Sequence, residues 1–504
     1  MPIHFIPNDP LAQDVLPARV QDPRPDPAPA LARFAYAASV PAGVYPIGSP
    51  EFLFWQCREA ALAALEAWAA IASPLRRWQS GKRRLPLRHS AGAGLNAHYD
   101  RRSLSFLEWT TAAKTTWSGA STDAVAHEVG HALLDALRPD LWGSVYTEGA
   151  AFHEAFADSI ALLVSVFDAP CRDALLRGGS QLRGPNFLEA VSEDVADGIR
   201  REDGPQHPQS LPRRALNALR WEIPINLPPS GPPSVLAAEP HSFSRVFTGC
   251  FYDSLCNIFA EQPSQDEQGL LAAARIAGEL LVTATANAPE VARFFQAVGR
   301  AMILADEATS GGQYHRAIRD AFTAHEVALG SAGMLAPTSG LVGPAPALTR
   351  AGARASLSSE TRRHLLRRIG AAPGGRLRVA AARLGSGLVA AATHHRSISL
   401  TGLDRRLRDV VAPVVESVLV GPVDPRRSRA ARAVVLGHLP DPGSTADEVR
   451  HFVSTLLERG ALQLDRAVAA RLAHIGRPHL PTHAIRTRAG KQVLARVRFA
   501  CGRS

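Results

Sequence analysis

The chain has 504 residues, enough for two or three domains, and is 46% hydrophobic and 20% charged, a balance that argues against a disordered protein. Its five cysteines, Cys57, Cys171, Cys250, Cys256 and Cys501, include no C-x-x-C pair and read as isolated thiols, not a disulfide framework. The net charge of +10 is uneven: residues 1–340 carry 28 basic and 36 acidic side chains, whereas residues 341–504 carry 28 basic and 10 acidic, an asymmetry that implies two units with different partners.

The first 30 residues are rich in Pro and Asp and are expected to be extended. They lack the basic and apolar regions of a signal peptide, and no stretch approaches 18 uninterrupted apolar residues. Neither a signal peptide nor a transmembrane segment is therefore expected, and the expected compartment is the cytoplasm. Residues 31–335 form the next unit. "EFLFWQCREAALAALEAWAAIAS" has apolar residues at helical spacing, while residues 75–120 hold short alternating runs that read as strands. From Ser121 onward helices dominate. "STDAVAHEVGHALLDALRP" opens on two good N-cap residues and ends before Pro139. "EGAAFHEAFADSIALLVSVFD" follows, then "DEQGLLAAARIAGELLVTATA", "EVARFFQAVGRAMILADEA" and "YHRAIRDAFTAHEVAL". The predicted class is α+β, with a strand-bearing first lobe ahead of a helical second lobe.

Residues 336–356, rich in Gly, Pro, Ala and Ser, read as a linker to a small mixed α and β unit over 357–504. There, Thr445 and Glu448 have capping-box spacing, which predicts a helix. "THAIRTRAGKQVLARVRFACG" predicts a hairpin turning at Ala489-Gly490. The arginines suit an acidic partner protein, nucleic acid or membrane lipids. Phe452 and Phe499 are the only aromatic residues of this region, too few for base stacking. Its histidines, including the adjacent His394 and His395, read as non-metal.

The chemistry concentrates in residues 124–158. His127, Glu128 and His131 form the pattern H-E-x-x-H. Residues four apart share a helix face, so His127 and His131 can aim two imidazoles at one ion. Glu128 sits beside that face, within reach of a metal-bound water. A catalytic zinc needs a third protein ligand, and Glu154 on the next helix can supply it. Asp158, four residues on, can accept a hydrogen bond from the outer nitrogen of a ligating histidine. A solvated acidic stripe is the competing explanation. The neighbours Ala151, Phe152, Ala155, Phe156, Ile160 and Leu162 leave little polar surface for it.

These motifs resemble the thermolysin-like zinc metallopeptidases, the group with Glu as third zinc ligand. H-E-x-x-H is followed by G-A-x-x-E-A-x-x-D, here Gly149 or Ala150 through Glu154, Ala155 and Asp158. "GLNAHYDRRSLSF" is similar to the family's Asn-Ala-aromatic segment, which implies that substrate lies along Asn96 and Ala97. "EPHSFSRVFTGCFY" is similar to its His-x-x-Ser segment and implies that His241 contacts the transition state. Tyr146 matches a tyrosine of similar role if one residue is deleted here. "LPRRALNAL" resembles the Arg-Ser segment, implying Arg213 as a substrate-binding residue, with Arg214 an equal candidate and Asn217 four residues beyond Arg213. The resemblance spans residues 90–330. It departs from the family at His153, where Asn is usual, in the spacing of the acid that partners His241, for which Glu239 is the nearest substitute, and in lacking Asp-rich calcium loops.

The resemblance implies a zinc-dependent endopeptidase acting on a peptide or protein substrate, with Zn2+ held by His127, His131 and Glu154 and Glu128 as general base. His241 and Tyr146 are then the oxyanion donors. The competing reading is a binding or scaffold protein on an inactive metallopeptidase fold, its arginine-rich C-terminal unit contacting acidic partners or nucleic acid.

Overall fold

Ser49 and Pro50 start the first long helix, α1 (Pro50–Ile71). The Ser49 side chain accepts a hydrogen bond from the Phe52 amide, and proline fills the first turn, where its missing N–H costs nothing. The computed structural model describes residues 1–177, 182–288, 290–329, 376–384, 387–422, 434–435, 442–465, 481–499 and 501–502. Ahead of α1, β1 (Ile3–Phe5) and β2 (Arg19–Gln21) pair antiparallel. Ile3 and Phe5 are buried in the main core, so the segment expected to be merely extended is anchored.

The strands predicted over 75–120 are present. β3 (Arg33–Tyr36) and β4 (Arg84–Arg88) run parallel, and β5 (Asn96–Tyr99) pairs antiparallel with β6 (Leu104–Phe106). β7 (Glu108–Thr110) and β8 (Thr115–Trp117) form a separate hairpin. Helices follow: α2 (Thr122–Leu137), α3 (Thr147–Phe167) and α4 (Ala169–Arg177), then α5 (Glu193–Asp203) between the short paired strands β9 (Ala190–Val191) and β10 (Arg213–Arg214). α6 (Pro240–Ala260), α7 (Glu267–Asn287), α8 (Phe294–Ser310) and α9 (His315–Ala324) complete this part. The N-cap of α2 is Ser121, as predicted.

α6 has no counterpart in the predicted elements. Its residues Phe243, Phe247, Phe251, Tyr252 and Phe259 are all buried. Aromatic residues are modest helix formers, and a helix buried on most sides shows no apolar stripe in its sequence. α3 and α7 are long and apolar enough to cross a membrane by length and composition, and burial among neighbouring elements accounts for both, 94% of the apolar window in α3 and 61% in α7.

Gly130 decides how closely α2 and α3 approach. A Cβ at this position would lie 2.7 Å from the Ala157 Cα of α3, closer than such atoms come, so only glycine permits the contact. The result is that α2 lays the H-E-x-x-H face directly against α3.

In the C-terminal region β11 (Arg376–Leu384), β12 (Gly387–Ser399) and β13 (Val410–Pro422) form long antiparallel pairs, with β14 (Val434–Val435) beside β13. α10 (Pro442–Glu458) precedes β15 (Leu462–Gln463), β16 (His483–Arg488) and β17 (Lys491–Arg496). These seven strands make one sheet, ordered β11-β12-β13-β17-β16-β15 with β14 on β13. The predicted hairpin turns at Ala489 and Gly490, both at positive φ (48° and 75°), the geometry of the favoured two-residue hairpin turn. His394 and His395 flank a register shift in β12. The predicted helix is present but starts at Pro442, so Thr445 lies inside it. Glu448 pairs instead with Arg293 at 2.6 Å, and the capping-box reading is corrected.

The molecule is mixed α and β, as the sequence implies. The linker expected over 336–356 lies outside the described residues. The described C-terminal residues do not stand apart from the rest. One buried core joins Val145, Tyr146, Ala150 and Ala292 to Ile398, Leu407, Val410, Phe452 and Leu494. A last strand, β18 (Cys501–Gly502), leaves the seven-stranded sheet and adds to β5, giving a second sheet ordered β18-β5-β6-β4-β3.

Candidate metal centre

Two helices bring the first donors together. His127 and His131 project from α2 and Glu154 from α3. One Glu154 carboxylate oxygen, Oε2, is 3.4 Å from His127 Nε2 and 3.6 Å from His131 Nε2. The imidazoles meet edge to face with ring centres 4.6 Å apart. All three side chains are buried. His127 Nε2, His131 Nε2 and both oxygens of Glu128 make no hydrogen bond of ordinary geometry. Orphaned buried atoms are rare in folded proteins, and four clustered ones of these types are a donor set: among the described residues, His127, Glu128, His131 and Cys501 form a group able to hold a metal ion, and Glu154, His241 and Cys501 form a second.

The surroundings set the protonation of these groups. Burial drives His131 down to about 4 against the pull of the Glu154 carboxylate, so it is neutral near pH 7. Burial opposes ionisation of Glu154, but His241 and His131 overcome it and hold its carboxyl well below the usual range. Neutral imidazole and ionised carboxylate are the forms that bind cations. Glu128 is pushed up to about 7, by burial first and by Glu154 in addition, with His127 opposing.

His127 is held from behind. Its Nδ1 lies 2.7 Å from Asp158 Oδ1. Burial and Arg213 oppose protonation of His127, yet its pKa is raised by Asp158 and Glu154. Burial alone would lift Asp158, but Arg213 and His127 bring it down to about 2. Arg213 donates to both Asp158 oxygens, at 2.7 and 3.0 Å. Arg213, expected to bind substrate, is instead partly buried behind the site and engaged with Asp158, whereas Arg214 pairs with Glu189 and is half-exposed. Asn217, four residues beyond Arg213, donates to the backbone carbonyls of Arg214, Ala215 and Arg245 and so fixes this loop.

His241 reaches the cluster although 87 residues separate it from Glu154. Its Nε2 is 3.3 Å from Glu154 Oε2, and its Nδ1 is 2.5 Å from Glu239. Glu239 serves three partners: it caps α6 through the Ser242 amide, holds His241, and pairs with Arg459 of the C-terminal region at 2.7 Å. The acid expected as His241's partner is thus in place.

Two expectations change. Tyr146 precedes α3, and its ring is fully buried in the core shared with the C-terminal region. This is a packing position, and the geometry gives no support to its role as an oxyanion donor. Asn96 and Ala97 were expected to offer a strand edge to substrate. Both are buried, and that edge is paired with Cys501 and Gly502.

Cys501 and Phe499 were not anticipated at the site. Cys501 Sγ lies 3.9 Å from Glu154 Oε2 and 4.0 Å from an Arg213 nitrogen. The Phe499 ring stacks on His131 at 4.5 Å and on His153 at 4.1 Å, with Trp142 at its edge. Burial, with Arg496 nearby, lowers His153 well below the usual histidine range. His153 therefore packs as a neutral ring where the resembled family carries Asn. No local signal announces these contacts, since Cys501 is 347 residues from Glu154. Compared with known proteins, the chain matches no protein-family model and no curated protein.

Proposed function

We propose that the chain is a zinc-dependent peptidase of the thermolysin-like kind, with His127, His131 and Glu154 holding one Zn2+. The observation that carries this reading is the convergence of two imidazole nitrogens and a carboxylate on one buried point, beside the unpartnered carboxylate of Glu128. Each buried polar atom left unpaired costs about 1–3 kcal/mol, so a cluster of them is best explained by a ligand that satisfies them together. Imidazole and carboxylate donors on adjacent helices suit zinc. The strands before residue 120 and the helices after it then correspond to the two lobes of a metallopeptidase.

When bound, the cation supplies Lewis-acid polarisation of a peptide carbonyl and of the attacking water. Glu128 takes the proton that this water gives up and delivers it to the leaving amine. His241, held through Nδ1 by Glu239, offers Nε2 to the oxyanion that develops on the substrate. Asp158 and Arg213 orient His127, a role that touches no substrate. An extended peptide could pair with β5 at Asn96 and Ala97 only after β18, which fills that edge, is displaced.

Elemental analysis is expected to find one zinc per chain, and an unbiased peptide library is expected to be cleaved. Glu128→Gln should keep the zinc and lose turnover, because an amide cannot accept the proton. Cleavage unaffected by Glu128→Gln would remove Glu128 from the mechanism, and zinc-loaded protein that cleaves nothing would leave the reading as a metal-bearing binding protein.

A further inference from the structure

We propose that Cys501 is itself a ligand of this metal, and that the segment carrying it occupies the peptide-binding edge and holds the site latent; this rests on the zinc reading above. The backbone comes first. β5 pairs with β6 on one side, and its other side is taken by the chain itself, with Cys501 opposite Ala97 and Gly502 opposite Asn96. The Phe499 amide donates to the Tyr99 carbonyl at 3.0 Å, which extends the contact along β5. A free strand edge is where an extended peptide adds. Here that place is filled from within the same molecule.

The side chains point to the same conclusion. Phe499 and Cys501 both reach the donor cluster. Phe499 lies on the ring of a proposed ligand, His131, and meets Trp142 edge to face. The Trp142 indole N–H in turn donates to the Arg496 carbonyl at 3.1 Å. Cys501 Sγ lies with the ligand atoms of His127, Glu128 and His131 in one group and of Glu154 and His241 in another, all atoms of a group within 4.8 Å of one another. It faces the buried Glu128 carboxylate, which has no other side-chain or backbone partner. The remaining cysteines, Cys57, Cys171, Cys250 and Cys256, are buried elsewhere and belong to neither group.

A catalytic zinc keeps one position open for water and substrate. A thiolate in that position is a strong ligand, formed as the thiol gives up its proton on binding. While seated, the one segment blocks water and substrate together, so wild-type turnover comes from the fraction of molecules in which it is released. Release then requires the segment to be displaced, cut or modified at the thiol.

The test replaces zinc with cobalt in the full-length chain. Wild-type protein is expected to bind one cobalt and show sulfur-to-cobalt charge-transfer absorption in the near ultraviolet. Cys501→Ser should bind one cobalt without that absorption. In wild-type protein, iodoacetamide labelling read by peptide mapping should spare Cys501 while metal is bound and modify it after chelation, a result that needs no variant to fold. With zinc, Cys501→Ser should cleave peptides with kcat/KM raised roughly tenfold or more, since the competent fraction rises. Cobalt bound without the absorption, or Cys501 labelled equally with and without metal, overturns this proposal and leaves the zinc reading standing. A chain that binds no cobalt or zinc overturns both.

Discussion

His131 and His241 sit in the same cluster and should fail differently. His131 is one of the two imidazoles aimed at Glu154 Oε2. His131→Ala should abolish zinc retention, because two remaining donors do not hold the ion against a chelator; elemental analysis after dialysis checks this. His241 is placed to act on the substrate, with Glu239 fixing its ring. His241→Ala should keep zinc and fold but lose on the order of 10²–10³ in kcat, the usual cost of one oxyanion donor. KM should change little, since the bond forms chiefly in the transition state. Both measurements belong on the Cys501→Ser background, where segment release does not limit the rate. A stable, zinc-loaded His241→Ala protein with unchanged kcat would assign the ring to structure alone.

At the scale of elements, the decisive contact is between α2 and α3. Gly130 faces the Ala157 backbone at a distance that admits no Cβ. Gly130→Val should push the helices apart and cost roughly 1–3 kcal/mol by overpacking, lowering Tm. It should also weaken zinc retention, because the donors sit on the two helices being separated. Glu148, at the start of α3, joins three elements. It accepts from the Trp221 indole at 3.0 Å and from the Phe295 amide at the start of α8 at 2.8 Å, with Arg293 at 3.7 Å. Glu148→Ala should cost about 1–3 kcal/mol for each of the two buried donors, the Trp221 indole and the Phe295 amide, left without an acceptor. Urea unfolding measures it, and Glu148→Gln, which keeps one acceptor, should cost less.

Across the whole molecule, the basic C-terminal region is structurally committed to the rest. Its residues share a core with Val145, Tyr146 and Ala150, Glu448 pairs with Arg293, and Arg459 pairs with Glu239. A chain terminated after Leu329 would expose that apolar face, deprive Arg293 of Glu448 and deprive the buried Glu239 of Arg459. Such a protein should melt at lower temperature than the full chain, or aggregate. Equal Tm for the two would mean that the shared core contributes nothing. Most of what was legible in the sequence is local. The cap of α2, the period of α1, and the turn at Ala489-Gly490 follow from neighbouring residues, because helix and turn energetics act over a few positions. His127, His131, Glu154 and Asp158 were legible for the same reason: each pair is one helical turn apart, and 23 residues separate the second histidine from Glu154. α6 escaped because its aromatic faces are buried nearly all round, which erases the amphipathic signature. Only the tertiary structure decides that Tyr146 is packing, that Arg213 stands behind His127 ahead of Arg214, and that Cys501 lies against Glu154 across 347 residues. Contacts at such separation are chosen by how whole elements pack and pair, and nothing in the residues adjacent to Cys501 encodes which strand it will join.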